Sequence, residues 1–335
     1  MSKVIFDVIN SIKGGCGKST YALMAADYYQ NKKDQLSYII DLDWYGSSWY
    51  SNYMNYYENG DNVHFLNEAL LDSKKFISKE HVGILKVAPY SQLITTYDKI
   101  NVCMVDPDKV DIGDVEVDLF ENTIYLIIKD IIEKNFNSVC SKKDDEKQSK
   151  NMNKDLHIIL DMPPSYEACS NRILNHLLMD QISDLYLLLT KKKLEFEVRL
   201  HMISAFSPSH IELNKNFLIN FINDRTYSSL YEKFNQNEIL KIYCIINDLH
   251  NLAKSRATFS NNLSMVVDSL NNLKEKKLES IKLKYFSLPY SDFYNMNLQT
   301  INHLISGTSA KFNYVDIDSQ SRQAFEDLFN SIQNS

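Results

Sequence analysis

Cysteine is scarce and scattered in this 335-residue chain. Cys16, Cys103, Cys140, Cys169 and Cys244 are odd in number and form no C-x-x-C pair. A small disulfide scaffold and a cysteine zinc site are therefore not expected, and a reducing cytoplasm is. The eight histidines are just as dispersed and include no H-E-x-x-H. No apolar run approaches the roughly 18 residues that a membrane helix needs. The N-terminus, MSKVIFDVIN, has only a handful of apolar residues and runs straight into a glycine loop, so it does not read as a signal peptide. Positive charge is in deficit: 36 Lys and Arg against 43 Asp and Glu leave a net charge of -7. That balance disfavours a globally basic nucleic-acid binder but leaves room for a local basic patch. Apolar residues at 44% and charged residues at 24% exclude a largely disordered or collagen-like chain.

What is present is an alternation of short apolar runs with helical stretches. Val4 to Ile9, Tyr38 to Leu42, Gly83 to Ala88, His157 to Leu160, Leu185 to Leu189, Ile242 to Ile246 and Lys284 to Leu288 read as strands. Between them, Ser19 to Gln30 and Glu121 to Phe136 carry apolar residues at helical spacing, as does Ser319 to Ile332 near the C-terminus. The pattern predicts an α/β fold, a mostly parallel, twisted sheet with helices on both faces, in one domain over 1–335. One stretch breaks it: 137–154 (NSVCSKKDDEKQSKNMNK) is polar and nearly free of large apolar residues, and reads as an exposed, flexible insertion.

With only eight glycines in the chain, three of them in four positions are a signal. Lys13-Gly14-Gly15-Cys16-Gly17-Lys18-Ser19-Thr20 lies between the first strand and the first helix. Glycines let backbone N–H groups approach phosphates, and a helix N-terminus adds positive potential. Lys18 would reach the β and γ phosphates, and the Ser19 hydroxyl would coordinate Mg²⁺. A dinucleotide fingerprint does not fit, because Thr20 stands at its last glycine. The ordinary G-x-x-x-x-G-K-[ST] loop does not fit either, since Ile12 stands at its first.

The spelling that does fit is K-G-G-x-G-K-[ST], and here the sequence resembles the ParA/MinD family of deviant Walker ATPases. Asp41-Leu42-Asp43 closes the second apolar run, and Ile158-Ile159-Leu160-Asp161-Met162-Pro163-Pro164 resembles the family's Walker B segment ending in Asp-x-Pro-Pro. Tyr243-Cys244-Ile245-Ile246-Asn247 resembles its strand ending in asparagine, and Leu288-Pro289-Tyr290 its last strand.

The resemblance implies a slow, switch-like ATPase with ATP or ADP and Mg²⁺ as ligands. It implies that Gly14, Gly15, Cys16, Gly17, Lys18, Ser19 and Thr20 cradle the phosphates, while Asn247 and Pro289 lie at the base. Asp43 would position the attacking water, and Ser19, Asp43 and Asp161 would serve the metal. Lys13 would cross to the phosphates of a second copy, so the ATP state would be a homodimer. Implied partners are non-specific DNA and a stimulating protein of the ParB kind; the implied job is partitioning or positioning DNA or another cargo. Where the family has Pro-Gln-Gly after the aspartate, this chain has Trp44-Tyr45-Gly46. That departure and the acidic charge fit an alternative, a nucleotide-binding regulatory or scaffold protein that localises a membrane or secretion machine with little hydrolysis.

Three lysine groups, Lys191 to Lys193, Lys254 with Arg256, and Lys274 to Lys284, are candidate DNA contacts or plain solvated faces. The C-terminal apolar face (Phe325, Leu328, Phe329, Ile332) has Glu326 and Asp327 beside it, with Arg322 the only cation. It therefore reads as a helix docked on its own domain, not as a membrane anchor. Cys169 follows Asp161 by eight residues, as in the iron-protein branch, but a second well-placed cysteine and glycine-rich surroundings are lacking.

Overall fold

Side chains on a strand alternate between two faces, and the first strand shows what each face wants. In β1 (Lys3–Asn10), Val4, Phe6 and Val8 enter one hydrophobic core, whereas Ile9 enters another. The computed structural model describes residues 2–43, 49, 65–66, 93–97, 100–105, 117–136, 154–164, 185, 189, 194–205, 207–223, 240–247, 282–288 and 319–334. In chain order its elements are β1, α1 (Lys18–Asp27), β2 (Leu36–Asp41), β3 (Ile94–Tyr97), β4 (Ile100–Cys103) and α2 (Val117–Phe136). Then follow β5 (Leu156–Asp161), β6 (Glu195–Ala205), α3 (Pro208–Asn223), β7 (Leu240–Asn247), β8 (Lys282–Leu288) and α4 (Ser319–Gln333).

The eight strands form one sheet in the order β3-β4-β2-β5-β1-β6-β7-β8. Every pairing is parallel except β3 with β4, which is antiparallel at one edge. β1 sits in the middle, between β5 and β6, and both of its faces are covered, as parallel sheets require. On one side Ile124, Ile127, Ile128, Ile131 and Ile132 of α2 and Leu218 of α3 pack on Val4, Phe6, Ile158, Leu160, Val198 and Leu200. On the other side α1 and α4 cover Ile9, Ile39, Ile159, Ile203, Tyr243 and Ile245. The mostly parallel α/β architecture expected from the sequence is the one observed.

α1 continues into a π-helical turn, Tyr28–Lys32, in which Tyr28 and Tyr29 are buried. α4 lays Phe325, Leu328, Phe329 and Ile332 against this region, and Phe329 meets Tyr21, Tyr28 and Tyr29 at ring-centroid distances of 5.3, 5.3 and 5.9 Å. The docked reading of the C-terminal helix therefore holds. Among the described residues no helix is long and apolar enough to cross a membrane.

Two expectations change. Leu185 and Leu189 are buried but helical, not a strand. The strand beside β1 is instead β6, in which Phe196, Val198, Leu200 and Met202 alternate with Glu197, Arg199 and His201. That alternation ordinarily marks a strand wet on one face; here the polar face is buried too. The strand expected over Gly83 to Ala88 and nearly all of the 137–154 insertion lie outside the described residues.

Candidate functional site

The loop after β1 is held at its start from outside. The Ile12 N–H donates to Asn214 Oδ1 at 3.1 Å, and the Asn214 amide in turn donates to Ile203 O at 2.9 Å and Ser204 Oγ at 2.6 Å. Within the loop, the Ser11 hydroxyl donates to Lys13 O at 3.0 Å. Gly15 and Gly17 then adopt φ of 72° and 88°, the left-handed region where a Cβ is costly. Gly17 is the N-cap of α1, and no side chain caps that end. The first N–H groups of the helix are thus available to an anion. A Cβ built on Gly15 would meet nothing within 4 Å, so the backbone borders open space there.

Side chains of the right chemistry converge on this loop. Lys18 is 6% exposed in the first turn of α1, while Ser19 and Thr20 are half-buried. Asp161, at the tip of β5, is fully buried and lies in register with Ile9 of β1 and Asp41 of β2. Gly14 faces the turn that follows Asp161: its Cβ position is 3.8 Å from Pro164 Cγ. Burial pushes the Asp161 carboxyl above the usual range, against the nearby Lys18 charge, the Ser19 hydroxyl and the Trp49 indole. Its Oδ2 accepts from Trp49 Nε1 at 2.8 Å, and its Oδ1 is buried with no hydrogen-bond partner among the described residues. An acceptor left over beside a lysine and a hydroxyl fits an outer-shell ligand of a hydrated cation. In the β2 exit, the Asp43 N–H donates to Asp41 Oδ1 at 3.0 Å, which folds Asp43 back over the strand end.

Asn247 closes the β7 side. It is fully buried, and its Nδ2 donates to Cys16 O at 3.3 Å, so it braces the loop directly. Cys16 is buried and its thiol is pushed up by desolvation, which leaves it a packing residue rather than a nucleophile. Lys13 is half-buried in the loop. Pro289, Trp44 to Gly46, Cys169, Lys191 to Lys193, Lys254 with Arg256, and most of Lys274 to Lys284 lie outside the described residues.

Solved structures share this arrangement of elements. A ParA family ATPase from Chlorobium tepidum TLS superposes with a TM-score of 0.51 at 16% identity, over 97% of each chain. The fold is that of the ParA ATPases. A putative plasmid partition protein from Borrelia burgdorferi B31 bound to AMPPNP has the same fold (TM-score 0.51, 15% identity, 100% of this chain and 99% of that one). So has Cyanothece McdA in its ATP complex (TM-score 0.51, 12% identity, 99% and 96%). No protein-family model and no curated protein matches the sequence.

Sequence reasoning missed three features of this site. Asn214 has no motif, because it reaches the loop from α3, 202 positions away from Ile12. Trp49 likewise meets Asp161 only through the fold. The third is a buried charged layer under α1. Asp7 is gripped by His157 Nδ1 on Oδ2 at 2.7 Å and by His201 Nε2 on Oδ1 at 2.9 Å. Arg199 follows at 4.0 Å from Oδ1, with its Nε on Glu197 Oε1 at 2.5 Å. Lys3 and Lys241 complete the layer, each 3.1 Å from Glu197. The alternating polar residues of β6 were the available signal.

Proposed function

We propose that this chain is a Mg²⁺-dependent ATPase that works as a dimerisation switch, partitioning or positioning DNA or another cargo. The observation that carries the reading is the loop itself. Two left-handed glycines lead into an uncapped helix, a lysine in its first turn is buried, and a carboxylate at the neighbouring strand tip keeps an acceptor oxygen. The fold shared with ATPases and with a partition protein supports it.

In this reading the loop N–H groups and Lys18 hold the β and γ phosphates, and Ser19 and Asp161 serve the cation. Mg²⁺ would supply charge neutralisation on the phosphate oxygens. Asp43 orients the attacking water, and Asn247 and Pro289 lie toward the base. Lys13, half-buried on the loop, is the residue left to complete the site of a second copy. ATP joins two copies, the dimer holds its target, and hydrolysis releases it. A protein of the ParB kind is the expected stimulator.

The test is binding of a nucleotide analogue and of duplex DNA, with and without Mg²⁺. The reading expects Lys18→Ala to lose nucleotide binding, and the wild-type ATP complex to bind DNA in a salt-sensitive way. Nucleotide binding without any DNA binding would move the role to the scaffold reading. No nucleotide binding would end both.

A further inference from the structure

The Trp49 side chain touches the acidic centre of the site, and nothing in the loop motif calls for it. It is 8% exposed and packs in the core shared with α1, next to Asp161, which is fully buried. An indole N–H can donate but never accept. By binding Oδ2 at 2.8 Å it consumes one side of the carboxylate and leaves Oδ1 as the acceptor. Trp49 also lies six positions beyond Asp43, so this one hydrogen bond ties the chain leaving β2 to the tip of β5.

We propose that Trp49 is a positioning residue for the cation shell: its indole N–H holds Asp161 by one oxygen and so sets which oxygen meets a water of the bound metal. The inference rests on the nucleotide reading above. Carboxylates in the outer shell of a metal are fixed by their own hydrogen bonds, and loss of such a partner weakens metal binding on the order of 10- to 100-fold. A ring that merely filled space would have no such effect. Phenylalanine fills most of the same volume and donates nothing, so Trp49→Phe separates the two roles.

The experiment is a Mg²⁺ titration of the ADP complex, preceded by ADP binding in EDTA. Trp49→Phe is expected to bind ADP in EDTA as wild type does, and to need about 10-fold more Mg²⁺ for half-saturation. An unchanged Mg²⁺ requirement overturns the proposal. The chain has two tryptophans, so Trp44→Phe leaves Trp49 as the sole indole. Its emission is expected to shift when Mg²⁺ joins the ADP complex, and no shift overturns the proposal even if Trp49→Phe fails to fold. Failure of the wild-type protein to bind ADP at all is a different outcome: it overturns the nucleotide reading, and the role of Trp49 with it.

Discussion

The Nε2 of His201 lies 2.9 Å from Oδ1 of Asp7, in the middle of the sheet and directly beneath α1. With Asp7 ionised, Nε2 presents a proton to it, and Nδ1 meets the Tyr21 hydroxyl of α1 at 2.9 Å. His157 presents Nδ1–H to the other Asp7 oxygen, and its Nε2 is buried without a partner among the described residues. The Tyr29 ring stacks on it at 3.5 Å. Strand, helix and π-turn are thus joined through one carboxylate.

That arrangement predicts acid sensitivity. Burial alone would raise the Asp7 carboxyl, but the two imidazoles and Arg199 outweigh it and hold it well below the usual range. Burial pushes His157 below its usual value, and Asp7 opposes this only in part. Both folded-state values are depressed, so both groups stabilise the fold above their unfolded values. That stability is lost as pH falls, first below about 6.5 for the histidine and then below about 4 for the aspartate. Denaturant midpoints should fall between pH 7 and pH 5. In His157→Gln, whose amide can still donate to Asp7, that pH dependence should be shallower. A wild-type midpoint that is flat over this range would contradict the account.

Arg199 balances two buried carboxylates, Asp7 and Glu197. Removing one partner of a buried ion pair leaves an uncompensated charge, at about 3–5 kcal/mol. Arg199→Met keeps the stem, so urea unfolding should show a loss near the lower end of that range, because Lys3 and Lys241 remain beside Glu197.

Gly15 tests the cradle apart from the fold. Its φ of 72° costs a side chain about 1–2 kcal/mol, but no atom within 4 Å resists a Cβ. Gly15→Ala should therefore remain folded, with a small drop in melting temperature, and lose nucleotide affinity because the methyl occupies the phosphate space. Calorimetric titration with ADP checks it.

Phe329 anchors α4 on Tyr21, Tyr28 and Tyr29. Phe329→Ala should cost about 3–5 kcal/mol in unfolding free energy. A smaller loss would mean that α4 contributes little to holding α1.

Much of this was legible beforehand because it is local. Val4 to Ile9, the glycines and Lys18 are contiguous, and a strand, loop and helix in that order announce themselves. Asp161 could be read because apolar neighbours bury its strand and two prolines stop it. β6 was missed although Phe196, Val198, Leu200 and Met202 recur at a strand's period; what the alternation could not tell is that its polar residues are buried, with His201 and Arg199 turned to Asp7 of β1. Leu185 and Leu189 misled for the opposite reason: a short apolar run has no period long enough to distinguish a strand from a buried helix. Asn214 and Trp49 were invisible because their partners are 202 and 112 positions away.

The central claim is the cross-subunit switch, and the mass of the particle in solution tests it most directly. Light scattering with ADP, then with ATP and Mg²⁺, should show a monomer becoming a dimer only with ATP. Lys13→Ala should stay monomeric in both while still binding ADP. A protein that remains monomeric with ATP and Mg²⁺, or that dimerises regardless of nucleotide or of Lys13, would contradict the account.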